Sequence, residues 1–139
     1  MGKHAIIIIK NENNEYLQYF DERWNSYLFL NCKMENKDDI NSIFKQVVNK
    51  LNISSNNIKC FFIGEKTHKK FSESDKVEKE YTHYFYKTDL LFQSDMYRKN
   101  EFELLNIKYK WFSYKQLKND ERIQLVNSDI INYIKEFGL

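Results

Sequence analysis

The sequence predicts an α/β fold of the α+β kind, a mixed β-sheet with flanking helices. Three observations lead there. A β-branched run opens the chain and is followed by a hairpin signal. One amphipathic helical stripe lies in the middle, and strand pattern returns after it, so both halves of the chain supply the sheet that buries the stripe. The 139 residues, 42% of them apolar, suffice for one core, and residues 1–139 are expected to form a single domain.

In chain order, Lys3 to Lys10 reads as a buried strand, Asn11-Glu12-Asn13-Asn14-Glu15 as a polar turn, and Tyr16 to Phe20 as the returning strand. Tyr27 to Leu30 is a short apolar strand, and Asn31 to Lys37 is polar and irregular enough for a loop. Ile40, Ile43, Phe44, Val47, Val48 and Leu51 then fall on one helical face, with Asp38 or Asp39 as N-cap and Asn52 just past the end. Ile58 to Ile63 suits a strand, while Gly64 to Lys79 is so charged that it is expected to be a surface connection. Tyr81 to Phe92 and Lys108 to Phe112 are further strands. Ser113 and Gln116 carry the spacing of a capping box for a short helix through about Asn119. Ser128 is placed to cap a last helix with Ile130, Tyr133, Ile134 and Phe137 on one face, ending at Gly138.

Composition removes several function classes. The 22 basic and 20 acidic residues leave a formal charge of +2, so no whole-chain field indicates nucleic acid or an anionic membrane. Three glycines, Gly2, Gly64 and Gly138, cannot build a glycine-rich phosphate loop of the P-loop or dinucleotide type. Cys32 and Cys60 are too few and too far apart for a disulfide framework or a CxxC pair. His4, His68 and His83 are dispersed in the sequence and none is assigned to a metal. The longest apolar run, Ala5 to Ile9, falls far short of the ~20 residues of a membrane span. A soluble, cytoplasmic protein is expected.

The order of hairpin, loop, amphipathic helix, strands and a late Trp-containing strand entering a helix resembles the Nudix hydrolase domain over nearly the whole chain. The opening strand His4-Ala5-Ile6-Ile7-Ile8, the stretch Trp24 to Leu30, the helix end Leu51-Asn52-Ile53, and Trp111-Phe112-Ser113 with Leu117 carry the likeness. The resemblance implies an α/β/α sandwich. It also implies a helix whose glutamates, spaced three and four apart on one face, hold Mg²⁺ or Mn²⁺ against a pyrophosphate.

Those carboxylates are absent from the matching positions. With Asn52-Ile53 as the end of the signature, its glycine falls on Asn31, its first glutamate on Lys37, its arginine on Lys45 and the adjoining glutamate on Gln46. The glutamate pair falls on Asn49 and Lys50. A one-residue shift brings in Asp38, a single carboxylate where the site needs several. Lys45 and Lys50 would repel a divalent cation, so no catalytic residue, metal ligand or cofactor is expected. Glu65, Glu73, Asp75, Glu78 and Glu80 are the acidic residues that an alternative metal site can draw on, interleaved with lysines in what also reads as a solvated loop.

For ligand binding the candidates are Trp24, Phe29, Lys33, Lys45 and Lys50. The aromatic pair suits nucleobase stacking or core packing, and the lysines suit an anion cradle or a solvated helix face. The expected function is a Nudix-fold protein without metal-dependent pyrophosphatase activity, serving as a nucleotide- or small-molecule-binding module or as a protein-interaction domain. The alternative is a divergent hydrolase of nucleoside diphosphate-linked compounds with relocated Mg²⁺ or Mn²⁺ ligands.

Overall fold

The computed structural model describes residues 2–34, 40–72, 76–90 and 95–139. Seven strands form one sheet: β1 (Gly2–Ile9), β2 (Glu15–Asp21), β3 (Ser26–Lys33), β4 (Ile58–Ser72), β5 (Val77–Leu90), β6 (Glu101–Leu104) and β7 (Ile107–Ser113). Their spatial order is β4-β5-β1-β3-β2-β7-β6. Among the described residues only β1 and β5 pair in parallel, with His4 opposite His83 and Ile6 opposite Phe85, so the sheet is mixed. Helices α1 (Ile40–Leu51), α2 (Asp95–Arg98), α3 (Tyr114–Asn119) and α4 (Glu121–Phe137), with a 3-10 turn at Ser55–Asn57, complete the described fold.

Strand alternation divides the apolar residues between two cores. Ala5, Ile7 and Ile9 of β1 turn to one face and meet Ile43, Val47 and Leu51 of α1, which are fully buried. Ile6 and Ile8 turn to the other and meet Ile123, Ile130, Ile131 and Ile134 of α4. A one-residue slip of β1 would exchange the two sets, which fixes the register. The α1 stripe is narrower than its apolar pattern suggests. Phe44 and Val48 are only partly buried, because they flank the contact line that Ile43, Val47 and Leu51 occupy.

The helix ends follow from local chemistry. Asn52 adopts a left-handed φ of 51° just past α1. Tyr97 and Tyr109 donate their hydroxyls to the backbone oxygens of Leu51 and Lys50, satisfying carbonyls the helix leaves open. Ser113 and Gln116 form the expected capping box, and Gly138 closes α4 at φ 70°. The proposed caps Asp38 and Asp39 lie outside the described residues, as does Lys37.

Several boundaries differ from the sequence reading. Asn31 to Lys33 continue β3 instead of starting a loop, because β1 offers them a partner, with His4 opposite Lys33 and Ile6 opposite Asn31. The charged stretch after Gly64 is the long arm of a hairpin in which His68 faces Tyr81 and Lys69 faces Glu80. Its polarity is tolerated because Gly64, Lys66 and His68 alternate inward toward α4 while their neighbours face solvent. Ser128 is no helix cap: α4 starts at Glu121 with Asp120 as its cap, and Ser128 follows a kink at Asn127, whose φ is −131°. The short α2 and β6 have no counterpart in the sequence pattern. Phe92 lies outside the described residues.

Candidate functional site

A cleft of about 610 Å³ opens between the first half of α4 and the face formed by β1, β3 and β5. His4, Phe29, Asn31 and His83 line its floor, and Arg122, Asn127 and Asp129 line the α4 side. The β2–β3 turn supplies the rim through Arg23 and Trp24. Asp21 shapes that turn by accepting the backbone N–H groups of Arg23 at 2.9 Å and Trp24 at 3.3 Å. Arg122 then ties the turn to α4, its Nε donating to the carbonyl oxygens of Trp24 and Asn25 at 3.0 and 3.2 Å. Trp24 is left half exposed, an aromatic plane available at the mouth.

Asn31 links the floor to the opposite side of the sheet. Its amide donates to the Phe29 carbonyl at 2.9 Å and to the Tyr19 hydroxyl at 3.2 Å. The Tyr19 ring in turn lies under Lys50 of α1, with Nζ 3.9 Å from the ring centre. Burial, together with Asp21 beside it, pushes the Tyr19 phenol up to about 12, against the lowering effect of the Asn31 amide. Burial also lowers the Lys50 ammonium from its ordinary value. Lys45 and Asn49 are exposed, Gln46 is half-buried, and α1 contributes no residue to the described lining of the cleft. Of the sequence candidates, Trp24, Phe29 and Asn31 come together there, and Lys33, Lys45 and Lys50 lie elsewhere.

No protein-family model matches the sequence, and no curated protein matches it significantly. The architecture does have matches among solved structures. An Ap4A hydrolase from C. elegans superposes with a TM-score of 0.60 at 12% identity, covering 99% of this chain and 96% of that one. A Nudix hydrolase from Nitrosomonas europaea gives 0.57 at 14%, covering 97% and 89%, and one from Clostridium perfringens gives 0.57 at 12%, covering 98% and 94%. The chain has the Nudix fold.

That fold implies a Mg²⁺ or Mn²⁺ ion held by carboxylates on the helix corresponding to α1. Among the described residues the donors on α1 do not fit one. Ile40–Leu51 contains no Asp or Glu, and its half-buried cation, Lys50, stands against the Tyr19 ring. Glu65, Glu78 and Glu80 are exposed on the β4–β5 hairpin, and Glu73 and Asp75 lie outside the described residues.

The Nudix scaffold also gathers residues that sequence spacing kept apart. His68 on β4, His83 on β5 and His4 on β1 share the α4-facing side of three adjacent strands. Burial, with Lys33 nearby, lowers His4 from its ordinary value. Reading Gly64 to Lys79 as a hairpin was the signal that would have found this row, because it sets His68 diagonally across from His83.

Proposed function

We propose that this chain is a Nudix-fold binding domain that has lost metal-dependent pyrophosphate hydrolysis and takes a nucleotide or related anionic small molecule in the cleft beneath α4. The supporting observation is the state of α1, a helix without a carboxylate whose Lys50 ammonium is already engaged by Tyr19. The cleft keeps what binding needs: concave walls, a half-exposed Trp24 for stacking, and Arg23 and Arg122 for negative charge. The fold neighbours are hydrolases, one of them an Ap4A hydrolase by name. Among the described residues no helix is long and apolar enough to cross a membrane.

Thermal shift in EDTA with nucleoside phosphates and nucleotide sugars tests the proposal. A ligand at a hundred times its Kd adds about 2.7 kcal/mol, which raises Tm by several degrees in a domain of this size. The shift should fall with added salt, disappear in Trp24→Ala and survive the double substitution Lys45→Gln, Lys50→Gln. No shift with any compound in the panel overturns the small-molecule assignment.

A further inference from the structure

His68, His83 and Asp129 place one potential ligand atom each within 4.8 Å of one another, at the end of the cleft away from the β2–β3 turn. His68 Nε2 is 3.0 Å from Asp129 Oδ2, and the two imidazoles stack with ring centres 5.2 Å apart. All three residues are half-buried, so an ion there would be partly withdrawn from bulk water yet reachable.

We propose that these three side chains form a binding site for a divalent transition-metal ion of the Zn²⁺ type, separate from the helix on which the Nudix fold carries its metal. Two imidazoles and one carboxylate suit a borderline-soft ion, whereas Mg²⁺ and Ca²⁺ favour all-oxygen sets. Donors on one tetrahedral ion sit about 3.3 Å apart at bond lengths near 2.0–2.1 Å. The His68–Asp129 pair, at 3.0 Å, is near that spacing, and the other donor gaps, at most 4.8 Å, are short enough for small side-chain rotations to close. The hairpin and the α4 kink deliver the set: β4 and β5 bring the histidines into diagonal register, and the helical turn after Asn127 carries Asp129 over them. His83 and Asp129 both line the cleft, so the ion borders it and adds a fixed positive charge for an anionic group bound there. Three protein ligands leave a coordination position for water or for that group.

The test is calorimetric titration of the intact chain with Zn²⁺, with Co²⁺ as a spectroscopic stand-in. No nucleotide is present, so the result is independent of the ligand assignment above. The expected result is one saturable Zn²⁺ site at micromolar Kd or tighter, unaffected by millimolar Mg²⁺, and visible d–d absorption from bound Co²⁺. His83→Gln and Asp129→Asn should each weaken binding at least tenfold, and the double substitution Cys32→Ser, Cys60→Ser should not. Asp129 is only half-buried, so Asp129→Asn remains informative if a histidine variant fails to fold. Binding no tighter than millimolar, or micromolar binding that Asp129→Asn leaves unchanged, overturns the site and leaves His68–Asp129 as an ion pair joining β4 to α4.

Discussion

The ammonium of Lys50 lies 3.9 Å from the centre of the Tyr19 ring, where a glutamate of the Nudix signature would stand if Asn52-Ile53 closes that signature. A cation over an aromatic face is attracted by the ring quadrupole, by about 0.5–1 kcal/mol when exposed and about 2 when desolvated. A carboxylate there meets the negative ring face and the nearby Asp21. Lys50→Glu should therefore cost roughly 1–3 kcal/mol by urea denaturation, while Lys50→Met should cost less than about 1 kcal/mol because it also removes a partly desolvated charge. Equal stability of Lys50→Glu and the parent chain would mean that the ring contact is not held in solution.

Tyr19 makes an alkaline prediction. Its folded-state ionisation is raised from 10.0 to about 12, so above pH 10 the unfolded chain releases this proton while the folded chain keeps it. Stability is fully present below pH 10 and falls as pH rises toward 12. Tyr109 shifts in the same direction through burial, and Lys50 opposes them, since its lowered value makes stability rise with pH over its own window. Denaturant midpoints between pH 9 and 12 should decline, and Tyr19→Phe should flatten the decline. An unchanged slope in that variant would contradict the buried placement of the phenol.

Gly64 answers to Phe137. A Cβ added at Gly64 would come within 2.6 Å of the Phe137 ring, so in Gly64→Ala either that ring turns away or the end of α4 shifts from β4. Overpacking of this kind costs about 1–3 kcal/mol. Phe137→Ala in the same chain should remove most of that penalty, giving a clear coupling in a double-mutant cycle. Additive effects would show that the ring does not sit over Gly64.

Within α1, burial separates neighbours that the hydrophobic pattern treats alike. Ile43→Ala and Leu51→Ala should each cost about 2–5 kcal/mol, and Phe44→Ala less than the 3–5 kcal/mol expected for a fully buried ring. Denaturation of the three variants checks the order, and a larger loss at Phe44 would reverse the assigned face of the helix.

The elements governed by local periodicity were legible in the sequence: the α1 stripe, the two opening strands, the capping box at Ser113 and Gln116, and the Gly138 stop. The hairpin expected of those two strands does not form, because β3 comes between β1 and β2 and pairs with both, leaving only a bridge from Lys10 to Tyr16. Elements stabilised by distant partners were not. Nothing near Lys66 or His68 announces a strand, because the groups that make their polarity tolerable, Glu136 and Asp129, lie on a helix more than sixty residues away. The cleft was half visible. Trp24, Phe29 and Asn31 were singled out through the resemblance, whereas Arg122 joins the site only through the long-range hydrogen bonds that clamp the turn. The histidine row depends on the parallel β1–β5 pairing, a relation that no local pattern encodes.

The most direct measurement is a calorimetric titration of the tightest-binding nucleotide from the thermal-shift panel, in EDTA and again with millimolar Mg²⁺, with phosphate release followed in the same samples. Saturable binding of equal affinity in both buffers, weakened by salt and lost in Trp24→Ala, with no phosphate released, is the predicted result. Binding that appears only with Mg²⁺ and is accompanied by phosphate release would contradict the account and identify a working hydrolase with relocated metal ligands.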